Sequence, residues 1–296
     1  MISIAICSVN NYYLSQIKEN ISNSIGVEYE LLVWDNNGHN KGLCEVYNTL
    51  AAKARFEYIC FLHEDILFET KEWGSKLIKI FDERQDVGVI GLAGNKYKSK
   101  FFSGWYSNIK ELDCANVIHR YSHGDELIYL KPEENVSLEE VVCLDGVFIC
   151  SKRNIWEQVK FNEDRLTGFH FYDIDFTLNA ARICTLVVNY EITLIHVTTG
   201  GDFGDNWVKV AIDYHSSINV ALPYTKLNRL PAQADMIIVR AWLDVLKNYK
   251  ISWANKWNWI RLQKLYLHPL LFYSILKFLF YKPLGLKYIH KLVKSK

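Results

Sequence analysis

Over its first hundred residues the chain alternates short apolar runs with stretches whose apolar residues recur every three or four positions. The runs are 2–9, 29–34, 58–62 and 87–92. Between them, 13–25, 41–54 and 73–81 carry helical spacing, as in Leu14, Ile17, Ile21 and Ile25. Such alternation implies right-handed βαβ crossovers and a mostly parallel sheet flanked by helices. The third run, Tyr58-Ile59-Cys60-Phe61-Leu62, is apolar throughout, as expected of a strand buried on both faces. It runs straight into His63-Glu64-Asp65, placing these groups at a strand's C-terminal end, where open α/β sheets bind ligands. Two adjacent carboxylates there need a cation, a proton or solvent to compensate them.

Beyond residue 94 the pattern loosens. Strands are expected at 112–119, 127–130, 185–190 and 192–197, and an apolar stretch at 141–150 is split by Asp145-Gly146. Helices are expected at 155–159, 172–183, 206–222 and 231–246. Residues 251–296 differ in composition: Trp253, Trp257 and Trp259 and many Leu, Phe and Tyr alternate with Lys and Arg, with no Asp or Glu. The longest stretch there without Lys or Arg, 265–276, is shorter than the roughly 20 residues that span a bilayer. A basic, aromatic tail suits a membrane interface, the reading that the absence of acids favours; the alternative is a helical subdomain packed on the core with its lysines exposed.

A formal net charge of +1 argues against a general nucleic-acid binder. Seven cysteines without a C-x-x-C pair read as free thiols in a reducing compartment. The first residues lack the basic region and length of a signal peptide, so a cytoplasmic location is expected.

Three groups could carry chemistry. Asp65, with Glu64, could bridge Mg²⁺ or Mn²⁺ to a diphosphate, although acids at a strand end can also face solvent or cap a helix. His196 closes a strand before Thr198-Thr199-Gly200-Gly201, and imidazole binds borderline metals; a structural histidine is the ordinary alternative. Asp173 and Asp175 stand near a helix start, where capping is equally plausible. Two residues apart, they point to different faces, so one could reach a cleft as a general base.

The order of these motifs resembles the nucleotide-sugar-binding half of GT-A fold glycosyltransferases, in particular family 2-like bacterial enzymes. The resemblance rests on Val33-Trp34-Asp35-Asn36-Asn37, Asn40-Lys41-Gly42-Leu43, Tyr58-Ile59-Cys60-Phe61-Leu62-His63-Glu64-Asp65, Asp145-Gly146, and Phe161-Asn162-Glu163 with Gly168-Phe169 and Tyr172-Asp173. It covers roughly 1–220. It implies an α/β, GT-A (Rossmann-like) domain over 1–225, with a nucleotide-sugar half (1–110) and an acceptor half (111–225). A helical basic-aromatic appendage follows at 226–296. By the resemblance, Asp35 contacts the nucleobase, with Asn36 and Lys41 beside it. His63-Glu64-Asp65 stands for the family's D-x-D motif, with histidine in place of the first acid. Asp65 and His196 then hold Mn²⁺ or Mg²⁺, while Glu64, Asp145, Gly146 and Asp175 belong to the substrate site. Asp173 is the base, although Tyr172 stands where the family usually has glutamate. The implied activity is inverting, metal-dependent transfer from a nucleotide sugar, UDP-linked for preference, to a saccharide or lipid-linked acceptor in bacterial surface polysaccharide synthesis. Two rivals are a sugar nucleotidyltransferase, disfavoured because the first strand leads into Ser8-Val9-Asn10-Asn11-Tyr12 without glycine, and a non-catalytic carbohydrate-binding protein on the same fold.

Overall fold

The computed structural model describes residues 1–198 and 200–281. Thr199 of the expected turn after His196, and 282–296 of the tail, lie outside the described residues. Apart from one unexpected short strand, β4 (Ile66–Phe68), the first part follows the expected order: β1 (Ile2–Ser8), α1 (Asn11–Ser24), β2 (Tyr29–Asp35), α2 (Leu43–Lys53), β3 (Tyr58–Leu62), then α3 (Trp73–Glu83) and β5 (Val87–Gly91). Asn10 starts α1: its side-chain oxygen accepts from the backbone N–H groups of Tyr12 and Tyr13.

The irregular stretch contains β6 (Ala93–Asn95), β7 (Tyr97–Lys98), the hairpin strands β8 (Asp113–Tyr121) and β9 (Gly124–Leu130), then β10 (Leu138–Val141), β11 (Cys143–Leu144) and β12 (Phe148–Lys152). Next come α4 (Arg153–Val159), α5 (Tyr172–Ala180), β13 (Thr185–Asn189), β14 (Leu194–Val197), α6 (Asp205–Ser217) and β15 (Tyr224–Thr225). The helix expected to reach 222 stops at Ser217. The Ser217 hydroxyl bonds back to the Asp213 carbonyl at 2.6 Å, and the chain leaves extended at Ile218.

The main sheet has seven strands in the order β10-β13-β5-β12-β3-β1-β2. It is mixed: β1 runs parallel to β2 and β3, and β13 to β5, but β12 lies antiparallel between β3 and β5, and β10 is antiparallel to β13. No crossover helix leads into β12. The chain reaches it through the β8–β9 excursion, which leaves it free to enter from the opposite end. A second sheet, β11-β6-β8-β14-β4 with β9 on β8, was not foreseen, because β4, β6 and β11 are only two or three residues long.

Strand β3 shows how the core is divided. Ile59 and Phe61 enter one apolar cluster, and Tyr58, Cys60 and Leu62 the other, as the two-residue period of a strand buried on both faces requires. All seven cysteines are free thiols.

The tail forms α7 (Ala234–Leu246), α8 (Trp253–Leu262), two 3-10 turns (Leu265–Leu267, Pro269–Leu271) and α9 (Phe272–Phe280). Its inner faces join the main core. The rings of Trp207 on α6 and Trp242 on α7 stack with centroids 4.9 Å apart, and Trp259 and Phe278 are fully buried.

Candidate active site

Sheet direction decides which groups can meet. Because β1, β2 and β3 are parallel, Ser8, Asp35 and His63-Glu64-Asp65 reach the same edge. Antiparallel β12 begins where β3 ends, with Phe148 paired to Leu62, so Asp145-Gly146-Val147 lies beside His63. The His63 N–H donates to the Val147 carbonyl at 3.4 Å. In the second sheet, β14 pairs His196 with Ile66 of β4, and the Val197 N–H donates to the Asp65 carbonyl at 2.9 Å. Four segments far apart in sequence thus converge at one edge.

His63, Asp65 and His196 each offer a ligand atom within 4.8 Å of the others, and all three are partly open to solvent. His196 Nε2 is 3.5 Å from Asp65 Oδ1, and His63 Nδ1 is 4.0 Å from the same oxygen. Burial works against the Asp65 carboxylate, but the His196 hydrogen bond and the charges of both histidines outweigh it, holding its pKa below the ordinary value. Burial first, then the charge of His196, lowers the pKa of His63 against the opposing pull of Asp65, Asp145 and Glu64. A neutral imidazole is the form that binds a metal. Two imidazoles and a carboxylate, mutually close and open on one side, fit a divalent ion with positions left for substrate oxygens.

Tyr172 orients the His63 ring, with Nε2 toward its hydroxyl and Nδ1 toward Asp65. Its hydroxyl, kept protonated by burial, donates to the Gly146 carbonyl at 3.1 Å and lies 2.9 Å from His63 Nε2. Both contacts are satisfied together when Tyr172 donates to Gly146 and His63 Nε2 carries the proton and donates to Tyr172. Its Nδ1, the nitrogen facing Asp65, is left with a free lone pair. Gly146 is required for this contact, since a Cβ there would come within 2.0 Å of the Tyr172 hydroxyl oxygen.

Asp173, at the start of α5, accepts from the Gly146 N–H at 3.0 Å. Burial, followed by the neighbouring charge of Asp145, pushes its pKa up to about 7. A carboxylate that titrates near neutrality is suited to proton transfer.

The other expected residues divide. Asp35 is exposed, and the Asn37 backbone N–H (3.0 Å) and side-chain amide (2.8 Å) hold its pKa below the ordinary value. Asn36 is buried, and both ends of its amide bond the Lys41 backbone, shaping the loop. Lys41 pairs with Glu45 and lies 5.1 Å over the Trp34 ring. Glu64 is occupied from within: it accepts from the Ser8 hydroxyl at 2.5 Å and from the N–H groups of Val9 and Asn10 at 3.1 Å, tying β3 to the β1–α1 loop. Asp175 is not brought to the cluster. It is buried on the other side of α5, where Arg165 and Asn162 face it, as the i, i+2 spacing requires.

His119 was missed. Parallel pairing of β8 with β14 sets it beside His196, with ring centroids 5.6 Å apart, and only that register reveals it. Next to the cluster opens a cavity of about 580 Å³ lined by Asp65, Tyr13, Arg120, Tyr121, Val197 and Thr198, among others.

The model of the glycosyltransferase like family matches residues 3–202. No curated protein matches the chain in sequence. Among solved structures, that of GalNAc-T7 with UDP, GalNAc and Mn²⁺ is similar in fold. It is 8% identical, with 72% of this chain and 47% of that one covered and a TM-score of 0.51, so the chain spans about half its length. The mannosyltransferase PcManGT from Pyrobaculum calidifontis, in complex with GDP-Man and Mn²⁺, is 12% identical over 87% of this chain and 71% of that one, with a TM-score of 0.49. S. aureus TarS is 12% identical over 93% and 53%, with a TM-score of 0.47.

Proposed function

This chain belongs to the glycosyltransferase like family, and from that premise we propose that it transfers a hexose from a nucleoside diphosphate sugar, UDP-linked for preference, to the hydroxyl of a saccharide or lipid-linked saccharide, with inversion. The observation that carries the proposal is the convergence of His63, Asp65 and His196 beside Gly146, whose N–H is held by Asp173. The similar GalNAc-T7 structure contains UDP and Mn²⁺. Two imidazoles favour Mn²⁺ over Mg²⁺, which prefers oxygen ligands.

In this reading His63, Asp65 and His196 hold the ion, which offsets charge developing on the departing diphosphate. Asp35, exposed at the end of β2, accepts from the N–H of the base, with the loop of Asn36 and Lys41 beside it. Asp173 takes the proton of the acceptor hydroxyl as its oxygen bonds to the anomeric carbon and the bond from that carbon to the diphosphate oxygen breaks. Burial and then the charge of Asp145 keep Asp173 basic, and Gly146 lets the backbone approach closely. In this reading Glu64, bonded to Ser8, Val9 and Asn10, and Asp175, facing Arg165 and Asn162, brace the site. The domain division at about residue 225 is part of the same proposal. With a lipid-linked acceptor the reaction would run at the inner face of a bacterial membrane, in surface polysaccharide assembly.

A donor screen that reads UDP or GDP release in the presence of Mn²⁺ tests the proposal. Turnover with a nucleotide sugar is expected; sugar-nucleotide binding without turnover, even with acceptors supplied, would favour a carbohydrate-binding protein on this fold.

A further inference from the structure

Charge is distributed unevenly along the chain. Nine of its 34 Lys and Arg residues, and none of its 33 Asp and Glu residues, fall in 251–296, so 1–250 carry 25 basic against 33 acidic groups. Exposed apolar surface gathers in the same place. Among the described residues, 11 of the 21 exposed large apolar side chains lie within 253–281.

Helix α9 shows why this is not ordinary surface. Ser274, Ile275 and Phe278 face inward, against α7 and α8. Phe272, Tyr273, Leu276 and Phe280 form the opposite face at i, i+1, i+4 and i+8, so the helix is apolar nearly all round. A helix of that kind belongs in an apolar environment, yet Leu267, Leu270, Phe272, Tyr273 and Phe280 are 63, 66, 64, 67 and 66% exposed. The flanking charges are basic: Arg261 and Lys264 are exposed, and the Lys277 ammonium lies 4.2 Å over the Tyr273 ring. Nine residues of helix reach about 14 Å, well short of a hydrocarbon core of about 30 Å, and no described helix is long and apolar enough to cross a membrane.

We propose that the outer face of the second 3-10 turn and α9 is a docking surface for an anionic lipid bilayer, with Leu270, Phe272, Tyr273 and Phe280 entering the headgroup–acyl boundary and Arg261, Lys264 and Lys277 meeting lipid phosphates. Charge complementarity selects this occupant. A second copy seated by two-fold symmetry would bring one basic face against another, and residues 282–296, with five lysines and no acid, would do the same. The proposal rests on the composition and exposure of these helices and stands whether or not the donor reading holds.

The test uses the full chain and co-sedimentation with vesicles of phosphatidylcholine alone or of equal parts phosphatidylcholine and phosphatidylglycerol. The wild type is expected to pellet with the anionic vesicles. Phe272→Glu with Phe280→Glu, both on the outward face, should lower partitioning by about tenfold or more, with the thermal melt and nucleotide binding unchanged. Lys264→Glu with Lys277→Glu should abolish the preference for anionic over neutral vesicles. Wild type remaining in the supernatant, or equal partitioning of all variants, would overturn the proposal. So would a dimer in solution that the Phe272→Glu, Phe280→Glu chain no longer forms.

Discussion

The hydroxyl of Tyr172 lies 2.9 Å from His63 Nε2 and is tied by its own hydrogen to the carbonyl of Gly146. This fixes which imidazole nitrogen faces Asp65. Tyr172→Phe keeps the ring that packs against Tyr47 and Phe161 but frees His63 to rotate and change tautomer. Mn²⁺ affinity, measured by calorimetry without nucleotide, should fall about 10–100-fold while the melt changes little. Unchanged affinity would remove Tyr172 from the site.

Gly146→Ala attacks the same contact from the other side. The new Cβ would overlap the Tyr172 hydroxyl and crowd Asp173, whose Cβ is 3.2 Å from its ideal position. Both side chains are packed, so neither can yield freely. Turnover should drop by about 10²-fold or more through misplacement alone, which initial rates at saturating donor would show.

Asp173→Asn separates catalysis from stability. Removal of a general base should cost about 10²–10⁴-fold in turnover. In the wild type, kcat/KM should rise with pH through about 7, because the carboxylate must lose its proton to act. Stability should move the other way. Between the ordinary carboxylate range and about 7 the folded chain holds a proton at Asp173 that the unfolded chain has lost, so stability falls as pH rises through that window. The variant lacks this loss, so its melting temperature relative to wild type should be higher at pH 8 than at pH 5. An equal difference at the two values would mean that Asp173 titrates normally.

Glu64→Gln tests a brace against a ligand. Its carboxylate accepts from Ser8, Val9 and Asn10, and an amide would turn a donor toward one of those donors. Stability should fall by about 1–3 kcal/mol in denaturant unfolding. Mn²⁺ affinity should stay within about twofold, unlike the loss expected on changing a ligand or its supporting group.

Much of the frame was legible because it depends on local patterns. The apolar block Tyr58–Leu62 marked a doubly buried strand, and its polar end marked the edge where Asp65 lies. His196 could be singled out because it closes a strand before a glycine pair. What the chain order could not reveal depends on pairing between distant segments. Antiparallel entry of β12 turned an expected mostly parallel sheet into a mixed one, and the same entry brings Gly146 to Tyr172. Glu64 was expected at the substrate site, but its carboxylate is taken up by Ser8 and the β1–α1 loop, and the turn of α5 separates Asp175 from Asp173. His119 comes to lie beside His196 through a strand register that no spacing in the sequence encodes.

His63, Asp65 and His196 are proposed to form a metal centre at the donor site. Calorimetric titration of UDP and GDP into the full chain, with and without Mn²⁺, tests it most directly when repeated on Asp65→Ala and His196→Ala. Nucleotide binding should depend on Mn²⁺ in the wild type and be lost in both variants, with folding intact. Equal binding without Mn²⁺, or Mn²⁺-dependent binding that survives both substitutions, would contradict it.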